Sequence, residues 1–217
     1  MLINCVAYQE GKKLCNVPVE AISDYVKKDG CFVWVALKDA EPGELEQMQQ
    51  EFGLHELAVE DAHTGHQRPK IEEYGDSLFA VMHTVEFTDG ELNIGEVDVF
   101  VGENYVLSTR NRTREGFLGV RARCEREPHH LAQGSAFVFY ALMDAVVDRY
   151  FPVVVAFETE LEIIEDQIFT KGSQRNNIER LMILAQSDSS ETHITAEMLP
   201  QDLSDMLPKV SARNDTH

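Results

Sequence analysis

The residue types in this chain best placed to do chemistry are carboxylates. Asp89 stands in Thr88-Asp89-Gly90-Glu91, a segment with turn chemistry that would offer a short acidic side chain at a surface. Asp144 and Asp148 are four residues apart in a glycine-free, apolar stretch, so on a helix they share one face. A like-charged pair at that spacing destabilises an isolated helix, and a cation or basic partner would relieve the cost. Mg2+ is a hard ion that keeps several waters and is held by only one or two carboxylates, so such a site leaves little more signature than this. Asp89, Asp144 and Asp148 are therefore the candidate metal ligands, for Mg2+ or else Co2+ or Zn2+. A solvated acidic face is the plainer account of the same residues.

Histidines offer a second, softer set. His63 and His66 in HTGHQRPK could contribute to a zinc site, although zinc ordinarily takes three or four ligands. His129-His130 are adjacent and expected in a loop, where neighbours do not face one way. Catalytic signatures are missing: the chain has no G-x-S-x-G, G-x-x-x-x-G-K-[ST], H-E-x-x-H or G-x-G-x-x-G motif. No spacing ties Ser, His and Asp into a triad, so an enzyme is not expected and no catalytic residue is assigned.

Composition narrows the partners. The 38 acidic residues outnumber the 19 basic ones, for a formal charge of −19. That field repels a phosphate backbone, which argues against nucleic-acid binding, and attracts metal cations and basic partners. The 4 cysteines show no C-x-x-C spacing, and reduced thiols in a cytosolic setting are the simplest account. The start, MLINCVAYQEGKKL, lacks a basic segment followed by a long apolar one, so no signal peptide is expected. No window approaches the roughly 18–20 apolar residues of a membrane-spanning helix, and the chain as it stands is expected to be soluble.

The elements that must position these residues fall into two parts. Over residues 1–132 strands and helices mix. LINCVAY reads as a strand, with Gly11-Lys12-Lys13 as a turn, and VEAISDYVKK has helical spacing. CFVWVAL, between Gly30 and Asp39, is a dense β-branched and aromatic run typical of a buried strand. Glu41-Pro42-Gly43-Glu44 opens a helix that ends near Gly53, and LHELAVEDA is a further short helix. Strands at 77–87, 96–101 and 105–110 are separated by turns and predict an antiparallel meander. The sum is an α/β fold: an α/β/α sandwich on a mixed, largely antiparallel sheet, followed by long antiparallel helices.

From 133 to 186 the pattern is helical. Tyr140, Met143, Val147, Tyr150, Val154, Phe157, Leu161, Ile164 and Ile168 are apolar at alternating steps of three and four, a heptad-type seam of about four heptads. Pro152 inside it predicts a bend or local irregularity, and Lys171-Gly172-Ser173 a turn into a returning helix. Residues 187–217 form an atypical tail.

Two segments carry a family resemblance. Glu60-Asp61-Ala62, His66-Gln67-Arg68-Pro69-Lys70, Glu72-Glu73-Tyr74 and Leu78-Phe79 resemble the signature of the CorA-like divalent cation transporters. The run from Tyr140 to Phe151 is similar to the start of that family's long helix, and the segments occur in family order. The zinc-transporting branch is similar in the same places. The resemblance implies a cytoplasmic α/β/α domain leading through long helices to a membrane stalk, on the cytoplasmic side of a plasma or inner membrane. It implies a homopentamer with a central pore, and intracellular divalent cation bound by acidic residues between subunits to favour the closed pore. Asp89 falls at the turn where the family places one such carboxylate, and Asp144 and Asp148 at the matching helix start. The family's Gly-Met-Asn pore signature and membrane helices are absent, and the tail SDSSETHITAEMLPQDLSDMLPKVSARNDTH departs from the family's stalk. The expected function is thus the cytoplasmic domain of a magnesium/cobalt transporter, which senses cation and gates the pore. The alternatives are the equivalent domain of a zinc transporter, or a stand-alone soluble interaction module using the helical seam.

Overall fold

The computed structural model describes residues 1–88, 91–113 and 116–171. Two compact units are distinguished, Met1–Thr84 with Gly95–Val146, and Val85–Ile94 with the chain from Val147 onward.

The first unit is built on a seven-stranded sheet, with Val85–Thr88 of β5 and Glu91–Ile94 of β6 counted in the second. Its strands are β1 (Leu2–Gln9), β2 (Lys12–Asn16), β3 (Cys31–Lys38), β4 (Lys70–Tyr74), β5 (Ser77–Thr88), β6 (Glu91–Gly102) and β7 (Tyr105–Asn111), in the order β2-β1-β3-β7-β6-β5-β4. The pairs β1–β2, β1–β3, β4–β5 and β6–β7 are antiparallel, and β3–β7 is parallel. The central position of β3 explains its composition. A strand paired on both edges and covered on both faces must be apolar at consecutive positions. Cys31, Val33, Val35 and Leu37 enter one core and Phe32 and Trp34 the other.

Helices cover both faces, as the α/β/α expectation requires. On one face lie α1 (Ile22–Val26), α2 (Pro42–Phe52) and α3 (Glu56–Thr64). Leu45, Met48, Ala58 and Ala62 pack there against Val33, Val35, Phe79 and Leu107. On the other lie α4 (Leu118–Arg126), α5 (Pro128–Leu131) and the start of α6 (Ser135–Lys171), with Cys124, Leu131, Val138 and Leu142 against Trp34, Val97 and Val106. The ends of α2 follow from local chemistry. Pro42 opens it, Glu41 and Glu44 form a reciprocal capping box, and Gly53 closes it at φ +66°.

Several local expectations are corrected. Lys12 and Lys13 lie in β2, and the turn is at Glu10-Gly11. The stretch expected as one helix over VEAISDYVKK is a 3-10 turn at Val19–Ala21 and a helix of only five residues. His129 and His130 belong to the short helix α5. β4 had no signal of its own, because KIEEY is short and mostly polar and is made a strand by its partner β5. The expected turn after Lys171, the returning helix and the tail lie outside the described residues.

In the second unit Val85, Leu92, Val153, Ala156 and Phe157 form a small apolar cluster. Among the described residues no helix is long and apolar enough to cross a membrane.

Candidate functional site

Asp144 is carried by the first half of α6, whose apolar side is locked into the core by Val138, Ala141 and Leu142. Its carboxylate lies 2.9 Å from the Arg123 guanidinium on α4, and both side chains are about one-third exposed. Arg123 also donates to the Ala141 carbonyl at 3.4 Å, which fixes it across the two helices. Asp144 therefore has an internal counter-charge, which the spacing of acidic residues alone did not reveal. Asp144, Arg123, Glu127, His130 and Tyr140 line one open groove of about 530 Å3. Asp148 is exposed and belongs to the second unit. Asp89 lies outside the described residues.

The histidine alternative meets specific partners. His66, at φ +58°, accepts from the Arg112 guanidinium. His63 is exposed at the end of α3, and His130 pairs with Glu127 at 2.9 Å. Among the described residues no three His, Cys, Asp or Glu side chains gather as a metal-ligand set. The cation chemistry open to these residues is that of few, hard carboxylate oxygens, suited to a hydrated ion.

The motif around HQRPK has a different role. Lys70 on β4 lies 2.7 Å from Asp61 on α3 and 2.9 Å from Glu72, and Tyr74 donates to the same Glu72 at 2.9 Å. These hydrogen bonds raise the Lys70 ammonium and depress the Glu72 carboxyl, so both stay charged over a wide pH range. The His55 ring stacks on Tyr74 with centroids 4.2 Å apart. The loop between α3 and β4 is held at Gln67 from two sides. Its N–H donates to Glu96 at 3.0 Å, and its carbonyl accepts from His83 at 2.8 Å. The motif thus ties α3 to the sheet edge.

Sequence reasoning missed two buried carboxylates. Asp98 and Glu96 alternate with Val97 and Val99 on β6 and so point to the α3 side of the sheet, where Asp98 is 0% and Glu96 7% exposed. Asp98 accepts from the Thr109 hydroxyl at 3.2 Å, while its second oxygen and one Glu96 oxygen have no hydrogen-bond partner. Burial, then the neighbouring Glu96 charge, hold Asp98 well above the usual carboxylate range. The signal was present in EVDVFV as acidic residues on alternate positions, but nothing local says which face is covered.

Comparison with known proteins places this architecture. The sequence model described as CorA-like Mg2+ transporter protein matches residues 29–201. The chain is similar to the putative metal ion transporter YfjQ of Bacillus subtilis, 33% identical over 166 residues that cover 76% of this chain and 50% of that protein. It is also similar to the cobalt/magnesium transport protein CorA of Thermotoga maritima, 30% identical over 123 residues, 55% of this chain and 35% of that protein. The chain spans about half the length, or less, of these curated relatives. Among solved structures, the soluble domain of CorA from Methanocaldococcus jannaschii superposes with a TM-score of 0.54 at 15% identity, over 97% of this chain and 88% of that one. At that identity the likeness is one of fold.

Proposed function

Since the chain belongs to the CorA-like Mg2+ transporter family, we propose that it is the cation-sensing cytoplasmic part of a divalent-cation transporter. In this reading Mg2+ or Co2+ binds Asp144, Asp148 and Asp89 where copies of the chain meet in a homopentamer. Divalent charge offsets carboxylate repulsion there, so the ion favours the assembled, closed arrangement by binding it better than the open one. The observation that carries the proposal is the state of Asp144. It is partly exposed at the rim of an open groove, and its neutralising partner among the described residues is one monovalent side chain, Arg123. A divalent cation competes with Arg123 for the same oxygens, which makes the site weak and reversible at intracellular concentrations. A surface pair of this kind contributes only about 0–1 kcal/mol, so Arg123 is displaced at little cost.

The test is a set of thermal melts with Mg2+, Co2+ and Zn2+ against NaCl at matched ionic strength, which removes general screening of the −19 charge. At a hundredfold excess over the dissociation constant a bound ion stabilises by about 2.7 kcal/mol. Asp144→Asn should lose the divalent-specific part of the shift and Arg123→Gln should enlarge it. Equal shifts for divalent ions and NaCl in all three proteins would sink the proposal. A response to Zn2+ alone would assign the chain to zinc.

A further inference from the structure

Two carboxylates lie beneath the loop that joins α3 to β4, and each keeps one oxygen without a partner. Glu96 is 7% and Asp98 0% exposed, side by side on the α3-facing side of β6. One oxygen of Glu96 accepts the Gln67 N–H at 3.0 Å, and one oxygen of Asp98 accepts the Thr109 hydroxyl at 3.2 Å. The other oxygen of each is buried and makes no hydrogen bond. The bare Glu96 oxygen sits directly under the loop, since a Cβ on Gly65 would come 3.5 Å from it. A buried carboxylate with a bare oxygen is costly as an anion, and two such neighbours cost more through mutual repulsion.

The groups packed around the pair favour its protonated form. Burial, then the Glu96 charge and, after it, that of Asp61 on α3 act on Asp98 in this sense, against the single Thr109 hydrogen bond from β7. The Lys70 ammonium of β4 is engaged by Asp61 at 2.7 Å and by Glu72 at 2.9 Å. On β5 the His83 Nε2 donates to the Gln67 carbonyl at 2.8 Å, and in the loop His66 accepts from the Arg112 guanidinium. Both charges that act on Asp98 are thus negative.

We propose that one proton, carried by Asp98 beside Glu96, is a latch on the α3–β4 loop. With the proton in place the pair holds a single charge, and Glu96 keeps the Gln67 N–H. When Asp98 releases the proton to solvent, two adjacent buried anions face Asp61, and lifting the loop relieves them by letting water reach both. The loop is the part that lifts: β6 is paired along its length with β7, whereas Gln67 is held by two hydrogen bonds. In the open arrangement Asp98 is hydrated and titrates at about 3.9, as in an unfolded chain. Opening therefore grows about tenfold per pH unit from there up to the value Asp98 has in the closed arrangement, and is level above it. The inference is independent of the transport reading and uses none of its carboxylates.

Hydrogen exchange of the Gln67 N–H reads the latch directly, as a protection factor from which the intrinsic pH dependence of exchange has been divided out. The whole chain is measured from pH 5 to pH 8 at constant ionic strength and without divalent ions. Wild-type Gln67 should lose protection by about tenfold or more across this range. Asp98→Asn keeps an oxygen for the Thr109 hydroxyl and carries no charge, so its Gln67 protection should be level with pH. Glu96→Gln keeps an oxygen for the Gln67 N–H and removes the nearest like charge, so it should shrink the loss. The Gly53 N–H, bonded to the Gln49 carbonyl at 2.8 Å at the end of α2, is the internal reference and should stay level in all three proteins. Level Gln67 protection in the wild type overturns the latch. A loss in Asp98→Asn as large as in the wild type overturns the assignment of the proton to Asp98. An equal loss at Gly53 overturns the loop as the part that opens.

Discussion

Asp98 has one carboxylate oxygen bonded to Thr109 and the other bare, inside a layer of apolar packing. Its raised folded-state value, against about 3.9 in an unfolded chain, means that the native state holds the proton more tightly. Stability therefore falls as pH rises from about 4 through the folded value, and above that value the full cost is present. Asp98→Asn keeps an oxygen for the Thr109 hydroxyl and removes the charge. We expect the variant to melt higher than the wild type at pH 8, with the gap closing at pH 4. Melts at the two pH values check this, and a variant destabilised equally at both would show that the carboxylate itself is needed. The cysteines are a quieter case. Burial pushes Cys124 up to about 11 and Cys5 up to about 12, so both stay protonated and unreactive near neutrality.

The turn between β1 and β2 shows how one element constrains another. Gly11 has φ +76°, and a Cβ on it would come within 1.9 Å of the Pro128 carbonyl oxygen and 3.1 Å of the Ala132 nitrogen. Backbone cannot swing aside as a side chain can, so the hairpin and α5 meet only because this residue is glycine. Gly30, at φ +66°, faces open space. Gly11→Ala should cost on the order of 3 kcal/mol in urea unfolding, and Gly30→Ala only about 1 kcal/mol for its left-handed backbone. Equal costs at the two positions would mean that the turn and α5 can separate freely.

For the whole molecule the row along α6 matters most. The heptad seam needs a cover, either a second copy or the helix expected after it, which lies outside the described residues. In a single chain a row at every seventh residue faces outward: Val147 is 52%, Val154 47% and Leu161 43% exposed, while Ile164 is 1% exposed. In one chain Leu161→Asp should therefore change stability by no more than about 0.5 kcal/mol. The row is covered, on the oligomeric reading, by a second copy. Sedimentation should show concentration-dependent self-association of the wild type, weakened by Val154→Glu or Leu161→Asp at unchanged melting temperature. A wild-type chain that stays monomeric at all accessible concentrations would count against that cover.

The sequence by itself determined whatever depends on neighbours along the chain. CFVWVAL had to be an interior strand, Pro42 and Gly53 had to bound a helix, and the apolar stretch after Ser135 had to be a long one. The segments around HQRPK and Tyr140 also pointed to the family. Only the tertiary structure decided what depends on partners distant in sequence. β4 is a strand because β5 lends it hydrogen bonds, and the Lys70 network of the HQRPK segment binds α3 to that edge. Asp144 meets Arg123 across two helices, Asp98 is covered by the α3 face of the sheet, and Trp34 lies beneath Arg121. Periodicity reports which side of an element is apolar, but charge pairing, desolvation and cavity lining depend on which other element arrives there. That is set by sheet order and helix packing, for which no short stretch of residues carries a signal.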